Sequence, residues 1–165
     1  MSESVKVLFV CMGNICRSPA GEAVLQSYVV SKGLEKYVVC DSAGTLREHV
    51  GEKADPRMIR VARARGYDVT SRARQFKPDD FDRFDYIIVM DRMIQEMVFT
   101  QARSPRDHLK VLLMGDYYPE HDVVDVPDPY YGRSEGFELV LDILEVACGQ
   151  FLDHIIARHD LKPGG

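Results

Sequence analysis

A thiol and a guanidinium stand close together near the start of the chain, in the segment Val10-Cys11-Met12-Gly13-Asn14-Ile15-Cys16-Arg17-Ser18-Pro19. A turn that leads from a strand into a helix N-terminus directs several backbone N–H groups at one point, where an anion binds. Positive charge beside Cys11 favours its thiolate form, and Arg17 can hold a phosphate through two parallel hydrogen bonds. These residue types predict attack of sulfur on phosphorus, with the turn holding the phosphate oxygens.

The spacing alone is weak support, because a cysteine followed by an arginine at this distance often occurs by chance in a chain with four cysteines. The neighbouring residues give stronger support than the spacing does. An apolar run precedes Cys11, Ser18-Pro19 suits the start of a helix, and Gly13-Asn14 allows the backbone to curl. A nucleotide-binding loop is excluded, because the Gly-Lys-Ser/Thr ending and the GxGxxG pattern are both missing. The alternative is a tight turn with a buried cysteine and no chemistry.

Alternating strands and helices must position this turn. Four short runs rich in Val, Ile and Leu predict strands covered on both faces, at residues 5–10, 37–40, 86–90 and 109–114. Helices are predicted between them, the first with Ser18 as N-cap and Glu22 in its first turn, and the last along an apolar stripe over residues 137–155. The pattern predicts one α/β domain over residues 1–165. Its four-stranded parallel sheet carries helices on both faces, in a flavodoxin-like three-layer α/β/α arrangement.

Ligands bind such sheets at the carboxyl ends of the strands, near the point where the strand order reverses. This directs attention to the turn after residue 10, the turn after residue 90, and the long loop over residues 114–134. The loop supplies candidates for the acid that must protonate a leaving oxygen: Asp116, Asp122, Asp125 and Asp128. Spacing alone does not choose among them. Asp91 suits a site residue and a helix N-cap equally well.

Composition excludes several other classes. The 165 residues carry 21 basic and 26 acidic side chains, a net charge of −5, so a nucleic-acid partner is not expected. No run approaches the roughly 18 apolar residues of a membrane span, and the first ten residues lack a leader pattern, so a cytoplasmic location is expected. The cysteine spacing does not suit a metal site, and no metal or other cofactor is expected.

The segment from Cys11 to Pro19 resembles the C-x-G-N-x-C-R-S-P signature of the low-molecular-weight protein tyrosine phosphatases. Further matches are Asp41-Ser42-Ala43-Gly44-Thr45, His49-Val50-Gly51, Asp55-Pro56-Arg57, Ala73-Arg74-Gln75, Met90-Asp91 and Asp128-Pro129-Tyr130-Tyr131-Gly132. The resemblance runs to about residue 155 and leaves residues 156–165 as an expected flexible tail.

The resemblance implies hydrolysis of phosphotyrosine on proteins, without metal, through a phosphocysteine intermediate. Cys11 matches the nucleophile, Arg17 the ligand of the phosphoryl oxygens, and Asp128 the general acid that later activates water. Phosphotyrosine proteins are the implied partners, a tyrosine kinase is a further candidate partner, and a monomer is expected.

Other residues take roles by the same resemblance. The phosphate-binding loop comprises Met12, Gly13, Asn14, Ile15, Cys16 and Ser18, the substrate wall Glu48, His49, Tyr130 and Tyr131, and a supporting network Ser42 and Ser71. Cys16 matches a cysteine that forms a disulfide with the nucleophile and so traps its sulfenic acid. Glu48 departs from the family, which often has Trp or Tyr on that rim.

Two alternatives stay open. An arsenate reductase on the same scaffold needs two further cysteines in a mobile segment, whereas Cys40 and Cys148 are far apart in predicted core. A non-catalytic phosphate-binding module needs neither a nucleophile nor an acid. Separately, Arg57, Arg60 and Arg63 share one face of a predicted helix, a pattern typical of a solvated surface.

Overall fold

The computed structural model describes residues 4–118 and 125–164. The strands are β1 Val5–Cys11, β2 Val38–Gly44, β3 Tyr86–Val89 and β4 Val111–Leu113. The α-helices of the described residues are α1 Arg17–Ser31, α2 Pro56–Ala64, α3 Asp80–Arg83, α4 Arg92–Phe99, α5 Pro105–Leu109 and α6 Ser134–Arg158. A 3-10 helix follows β4 at Met114–Tyr117.

The four strands form a parallel sheet in the order β2-β1-β3-β4, which confirms the predicted fold class. From β1 the chain moves outward to β2 and then crosses back to place β3 on the other side of β1. The carboxyl ends of β1 and β3 therefore lie side by side, with Val10 paired to Val89. This is the point where strand order reverses, and where ligands bind in such sheets.

Side chains of β1 alternate between two hydrophobic clusters, one on each face of the sheet. Val7 and Phe9 pack into a cluster with α1, α2 and α6. Leu8 and Val10 pack into a second cluster with α3 and α4. Burial on both faces explains why the strand is continuously apolar. It also fixes the position of the turn that follows.

β1 and β3 match their predicted bounds to within one residue, whereas β2 and β4 differ by more. β2 continues past residue 40 to Gly44, because its polar Asp41 and Ser42 side chains have polar partners in Arg74 and Glu22. β4 is shorter than predicted, because Leu109 ends α5 and is 81% exposed. The short helices α3 and α5 were not predicted, since so few residues give no clear periodicity.

The predicted cap of the first helix was wrong. α1 begins at Arg17, after Cys16, and no side chain of the described residues caps it. Ser18 instead lies within the first turn, and Glu22 lies beyond that turn, in which no residue is acidic. The structure places residues 156–158 of the expected tail in α6, and the Gly164 N–H donates to the Lys32 carbonyl at 2.8 Å.

Candidate active site

Cys11 ends β1 and lies at the base of a cavity at the carboxyl edge of the sheet. Its side chain is buried, and its Sγ lies 2.9 Å from the Ser18 hydroxyl. The hydroxyl was expected as a helix cap, but α1 starts one residue earlier and the side chain turns back toward the sulfur. Either atom of this pair can donate, and the hydroxyl also lies 3.3 Å from the Ala43 carbonyl. When the hydroxyl donates to the sulfur, it stabilises the thiolate.

Asn14 holds the shape of the turn between Cys11 and α1. Its backbone is left-handed, with φ of 57°, a conformation that asparagine adopts more readily than most residues. Its amide Nδ2 donates to the Ser18 hydroxyl at 2.8 Å, and its Oδ1 accepts the Arg74 backbone N–H at 3.0 Å. The side chain is buried, so these bonds are protected from water. Asn14 thus joins the turn to a segment distant in sequence.

The end of β2 forms the floor beneath this turn. The Thr45 N–H donates to the Cys11 carbonyl at 3.0 Å, and the Leu46 N–H donates to the Met12 carbonyl at 2.9 Å. A Cβ on Gly44 would lie 2.7 Å from the Met12 carbonyl oxygen, closer than real Cβ atoms approach. Glycine is required here because two backbones touch. The sequence matches included Gly44, but nothing local revealed this contact.

Arg17 reaches from α1 to two aspartates that follow other strands. Its Nη1 donates to the Asp91 carboxylate at 2.6 Å and to the Val126 carbonyl at 3.0 Å, while Nη2 lies 3.7 Å from Asp128 Oδ2. The side chain is 2% exposed. Burial by itself would lower the pKa of Arg17, but the negative charges of Cys11, Asp91 and Asp128 outweigh it and raise that pKa. A buried, permanent cation therefore stands beside the thiol.

Asp128 lies at the mouth of the cavity, with its side chain 40% exposed. Its Oδ1 accepts the Tyr130 N–H at 3.1 Å, and the preceding Val126 N–H donates to the Met90 carbonyl at 2.8 Å. Its Oδ2 faces the buried Arg17 guanidinium.

The rival acids are placed elsewhere or fall outside the structure. Asp125 accepts hydrogen bonds from the backbone and guanidinium of Arg92. Asp116 is exposed in the 3-10 helix and does not line the cavity. Asp122 lies outside the described residues. Of the described candidates, only Asp128 lines the cavity.

The cavity measures about 190 Å³, and most of the predicted site residues line it. They are Cys11, Met12, Gly13, Ile15, Cys16, Arg17, Glu48, His49, Asp128, Tyr130 and Tyr131. Leu46 also lines it and was not predicted. The rings of Tyr130 and Tyr131 meet edge to face at 4.9 Å. These rings and His49 form an aromatic wall suited to stacking against a phenyl group.

Ser42 and Ser71, expected to support the loop, are placed one layer further from it, around Glu22. The Ser42 hydroxyl donates to the Glu22 carboxyl at 2.7 Å. Burial raises the pKa of Glu22 to about 7; Asp41 adds to the shift, while Ser42, Ser71 and Arg74 oppose it. Sequence reasoning assigned Glu22 to the helix dipole, and its contact with β2 could not be read from α1 alone.

Cys16 shares the cavity with Cys11 but has different surroundings. Its Sγ lies 3.9 Å from Asp55 Oδ2, close enough for a weak hydrogen bond from the thiol. Burial is the largest cause that raises the pKa of Cys16, and the negative charge of Asp55 adds to it. Cys16 is therefore a protonated thiol.

Cys40 and Cys148, which an arsenate reductase would need near the loop, do not line the cavity. Cys148 is buried within α6, where its Sγ approaches the Gly21 carbonyl at 3.8 Å. Among the residues that the structure describes, no three His, Cys, Asp or Glu side chains group as metal ligands. Within residues 4–118 and 125–164, none of the helices combines the length and apolar character needed to cross a bilayer.

Comparison with known proteins agrees with this geometry. A model of the family described as low molecular weight phosphotyrosine protein phosphatase matches residues 6–161. A low molecular weight protein-tyrosine-phosphatase of Streptomyces coelicolor is 44% identical over 144 residues, covering 86% of this chain and 88% of that protein. A low molecular weight phosphotyrosine protein phosphatase of Sus scrofa is 35% identical over 158 residues, covering 94% of this chain and 99% of that protein.

A solved structure resembles the whole fold. The crystal structure of a protein tyrosine phosphatase from Entamoeba histolytica, with Hepes in its active site, superposes with a TM-score of 0.90 at 42% identity. The match covers 96% of this chain and 100% of that chain.

Proposed function

The chain belongs to the low molecular weight phosphotyrosine protein phosphatase family, and we propose that Cys11, Arg17 and Asp128 carry out its reaction. The chain is therefore a protein tyrosine phosphatase. One observation supports the residue roles above all others: Cys11, Arg17 and Asp128 line one cavity, and the buried Arg17 Nη2 lies 3.7 Å from Asp128 Oδ2.

In the first step the Cys11 thiolate attacks phosphorus as the bond to the tyrosyl oxygen breaks. Nη1 of Arg17 donates to Asp91 and Val126, so Nε and Nη2 are left to bind two phosphoryl oxygens. The loop N–H groups and the start of α1 hold the other oxygens. Asp128 donates its proton to the tyrosyl oxygen, because a phenolate is a poor leaving group.

In the second step the phosphocysteine is hydrolysed. The Asp128 carboxylate, now deprotonated, takes a proton from water while that water attacks phosphorus. The phosphorus–sulfur bond breaks, and Cys11 leaves as the thiolate that Ser18 stabilises. The sum is phosphotyrosine plus water giving tyrosine plus phosphate.

We infer that the substrates are phosphotyrosine side chains of proteins, produced by a tyrosine kinase in the cytoplasm. Tyr130 and His49, whose ring centroids lie 6.2 Å apart, support a flat phenyl group in the cavity. The apolar Ile15 lines the same cavity and favours an aryl group over a charged one. We also propose a monomer as the active form.

Cys16 serves as the resolving thiol in this proposal. A Cys11 sulfenic acid would condense with the Cys16 thiol to give a disulfide and water, before further oxidation. The shared cavity supports this role. The raised pKa of Cys16 implies a thiol that reacts slowly until it loses its proton.

Hydrolysis of phenyl phosphate, measured with reductant and a chelator, tests the proposal. We expect wild type to be active, Cys11→Ser to be inactive, and Asp128→Ala to lose about 10²–10⁴-fold in kcat/KM. Activity that survives in Cys11→Ser would contradict the nucleophile. A folded but inactive wild type would contradict the phosphatase and favour the two alternatives, an arsenate reductase and a non-catalytic phosphate-binding module.

A further inference from the structure

Arg57 joins α2 to the segment that carries Asp128. Its Nη2 donates to the Tyr130 carbonyl at 2.8 Å, and its Nη1 to the Gly132 carbonyl at 3.4 Å. The guanidinium lies over the Phe137 ring at 4.7 Å from the centroid, so its orientation is fixed by packing as well. One side chain thus contacts two backbone carbonyls of a single loop.

The other side of the guanidinium is held by Asp55. Nη2 and Nε of Arg57 donate to the two carboxylate oxygens at 2.7 and 3.1 Å. Asp55 is buried, and its backbone N–H donates to the Ile15 carbonyl at 2.8 Å. Its carboxylate also faces the Cys16 thiol at 3.9 Å. Asp55 therefore connects Arg57 to the phosphate-binding loop.

The neighbouring arginines of α2 show that these contacts are particular to Arg57. Arg60 and Arg63 are exposed, and within the described part of the chain neither side chain has a hydrogen bond or ion pair. The prediction of a solvated arginine face holds for these two and is wrong for Arg57.

Asp128 lies between two attachments of its loop. On one side the Val126 N–H donates to the Met90 carbonyl at the end of β3, at 2.8 Å. On the other side the Tyr130 carbonyl accepts from Arg57. Among residues 4–118 and 125–164, the Asp128 side chain accepts a hydrogen bond from the Tyr130 N–H alone and faces Arg17. Its position therefore depends on where the loop backbone is held.

We propose that Arg57 is a positioning residue that holds the loop of residues 126–132 against the phosphate-binding loop, so that Asp128 reaches the leaving oxygen. The inference rests on the proposed role of Asp128 as general acid. Asp55 transmits the position of one loop to the other through Arg57. Without the guanidinium, the Tyr130 and Gly132 carbonyls lose their donor and the acid is no longer held at its working distance.

The test compares two substrates that differ in their need for an acid. Phenol has a pKa of about 10, like tyrosine, and leaves poorly without a proton, whereas dinitrophenolate leaves unaided. We expect Arg57→Met to lower kcat/KM about 10- to 100-fold for phenyl phosphate and less than about threefold for 2,4-dinitrophenyl phosphate. Arg60→Met, on the same helix, is the matched control and should leave both values unchanged.

A double variant separates positioning from general damage. If Arg57 acts through Asp128, adding Arg57→Met to Asp128→Ala should cause little further loss on phenyl phosphate. Arg57→Lys provides the same test should the methionine variant not fold, because lysine keeps the charge but cannot span both carbonyls and Asp55. Arg57→Lys should lose less kcat/KM than Arg57→Met, and its loss should again be larger for phenyl phosphate than for 2,4-dinitrophenyl phosphate.

The contradicting results are distinct from one another. An equal loss on both substrates, no loss, or fully additive losses in the double variant would overturn the role of Arg57. If Asp128→Ala itself shows no dependence on the leaving group, Asp128 is not the acid, and the proposed function fails rather than the role of Arg57 alone.

Discussion

The Asp91 carboxylate lies 2.6 Å from the Arg17 guanidinium and also accepts the Ile94 backbone N–H at 2.8 Å. The two oxygens divide these tasks: Oδ2 contacts Arg17, and Oδ1 caps α4. From the sequence, Asp91 suited a site residue and a helix cap equally well, and in the structure its side chain makes both contacts. The start of α4 and the direction of Arg17 are therefore fixed by one side chain.

Substitutions of Asp91 should separate those two tasks. Asp91→Ala removes the cap and leaves the Arg17 cation without its close partner, and we expect a loss of about 3–5 kcal/mol in the free energy of unfolding. Asp91→Asn keeps the cap and should lose clearly less stability, yet lose comparable kcat/KM. Urea denaturation and phenyl phosphate kinetics measure the two effects. Equal losses of stability in both variants would contradict the separate roles of the two Asp91 oxygens.

Substitutions of Asn14 should separate backbone shape from side-chain bonding. Asn14→Gly keeps the left-handed backbone without strain, while Asn14→Ala does not. Both lose the bonds to Ser18 and Arg74, so both should lower kcat/KM by about 10²-fold. The alanine variant should also be less stable than the glycine variant, by about 1 kcal/mol. Full activity in the glycine variant would show that the side chain is dispensable.

Glu22 should make stability depend on pH. Its pKa is raised from 4.5 to about 7, first by burial and then by Asp41. Between these values the folded chain holds a proton that the unfolded chain has released, so the free energy of unfolding falls as pH rises through this range. A shift of this size corresponds to about 3 kcal/mol.

The Glu22→Gln variant removes this titration. Urea denaturation at pH 5 and pH 8 should show a smaller fall in stability for Glu22→Gln than for wild type. The variant should accordingly gain stability relative to wild type at the higher pH. An unchanged fall between the two pH values would contradict a raised pKa at Glu22.

Glu48, on the rim of the cavity, should affect the kcat/KM for aryl phosphates. It lines the cavity, and its negative charge opposes a dianionic phosphate. We expect Glu48→Trp to raise kcat/KM for aryl phosphates by stacking, and Glu48→Gln to raise it less, by removing the charge alone. An unchanged substrate profile in the tryptophan variant would contradict a role for the rim.

Cys16 should protect the nucleophile from lasting oxidation. After treatment with hydrogen peroxide, a thiol reductant should restore most of the wild-type activity. Cys16→Ser cannot form the disulfide and should recover much less, because Cys11 proceeds to the sulfinic acid. Mass analysis of the peptide carrying Cys11 distinguishes the two products. Equal recovery in both proteins would remove Cys16 from this role.

The sequence by itself determined the features that short stretches encode. The apolar runs predicted all four strands and their parallel arrangement, because burial on both faces leaves a continuous pattern. The segment from Cys11 to Arg17 predicted the phosphate-binding turn, because a strand, a turn and a helix N-terminus adjoin in the chain. Asp128 could be chosen among four aspartates only by resemblance, and its position beside Arg17 came from the fold.

The tertiary structure decided the contacts between distant segments. Arg17 meets Asp91 across 74 residues, and Arg57 meets the Tyr130 carbonyl across 73. Ser42 contacts Glu22 because β2 lies against α1, so a residue assigned to a helix dipole is instead a half-buried carboxyl. Local patterns report which face of an element is apolar. The partner of each polar side chain depends on which elements the sheet order brings together at one edge.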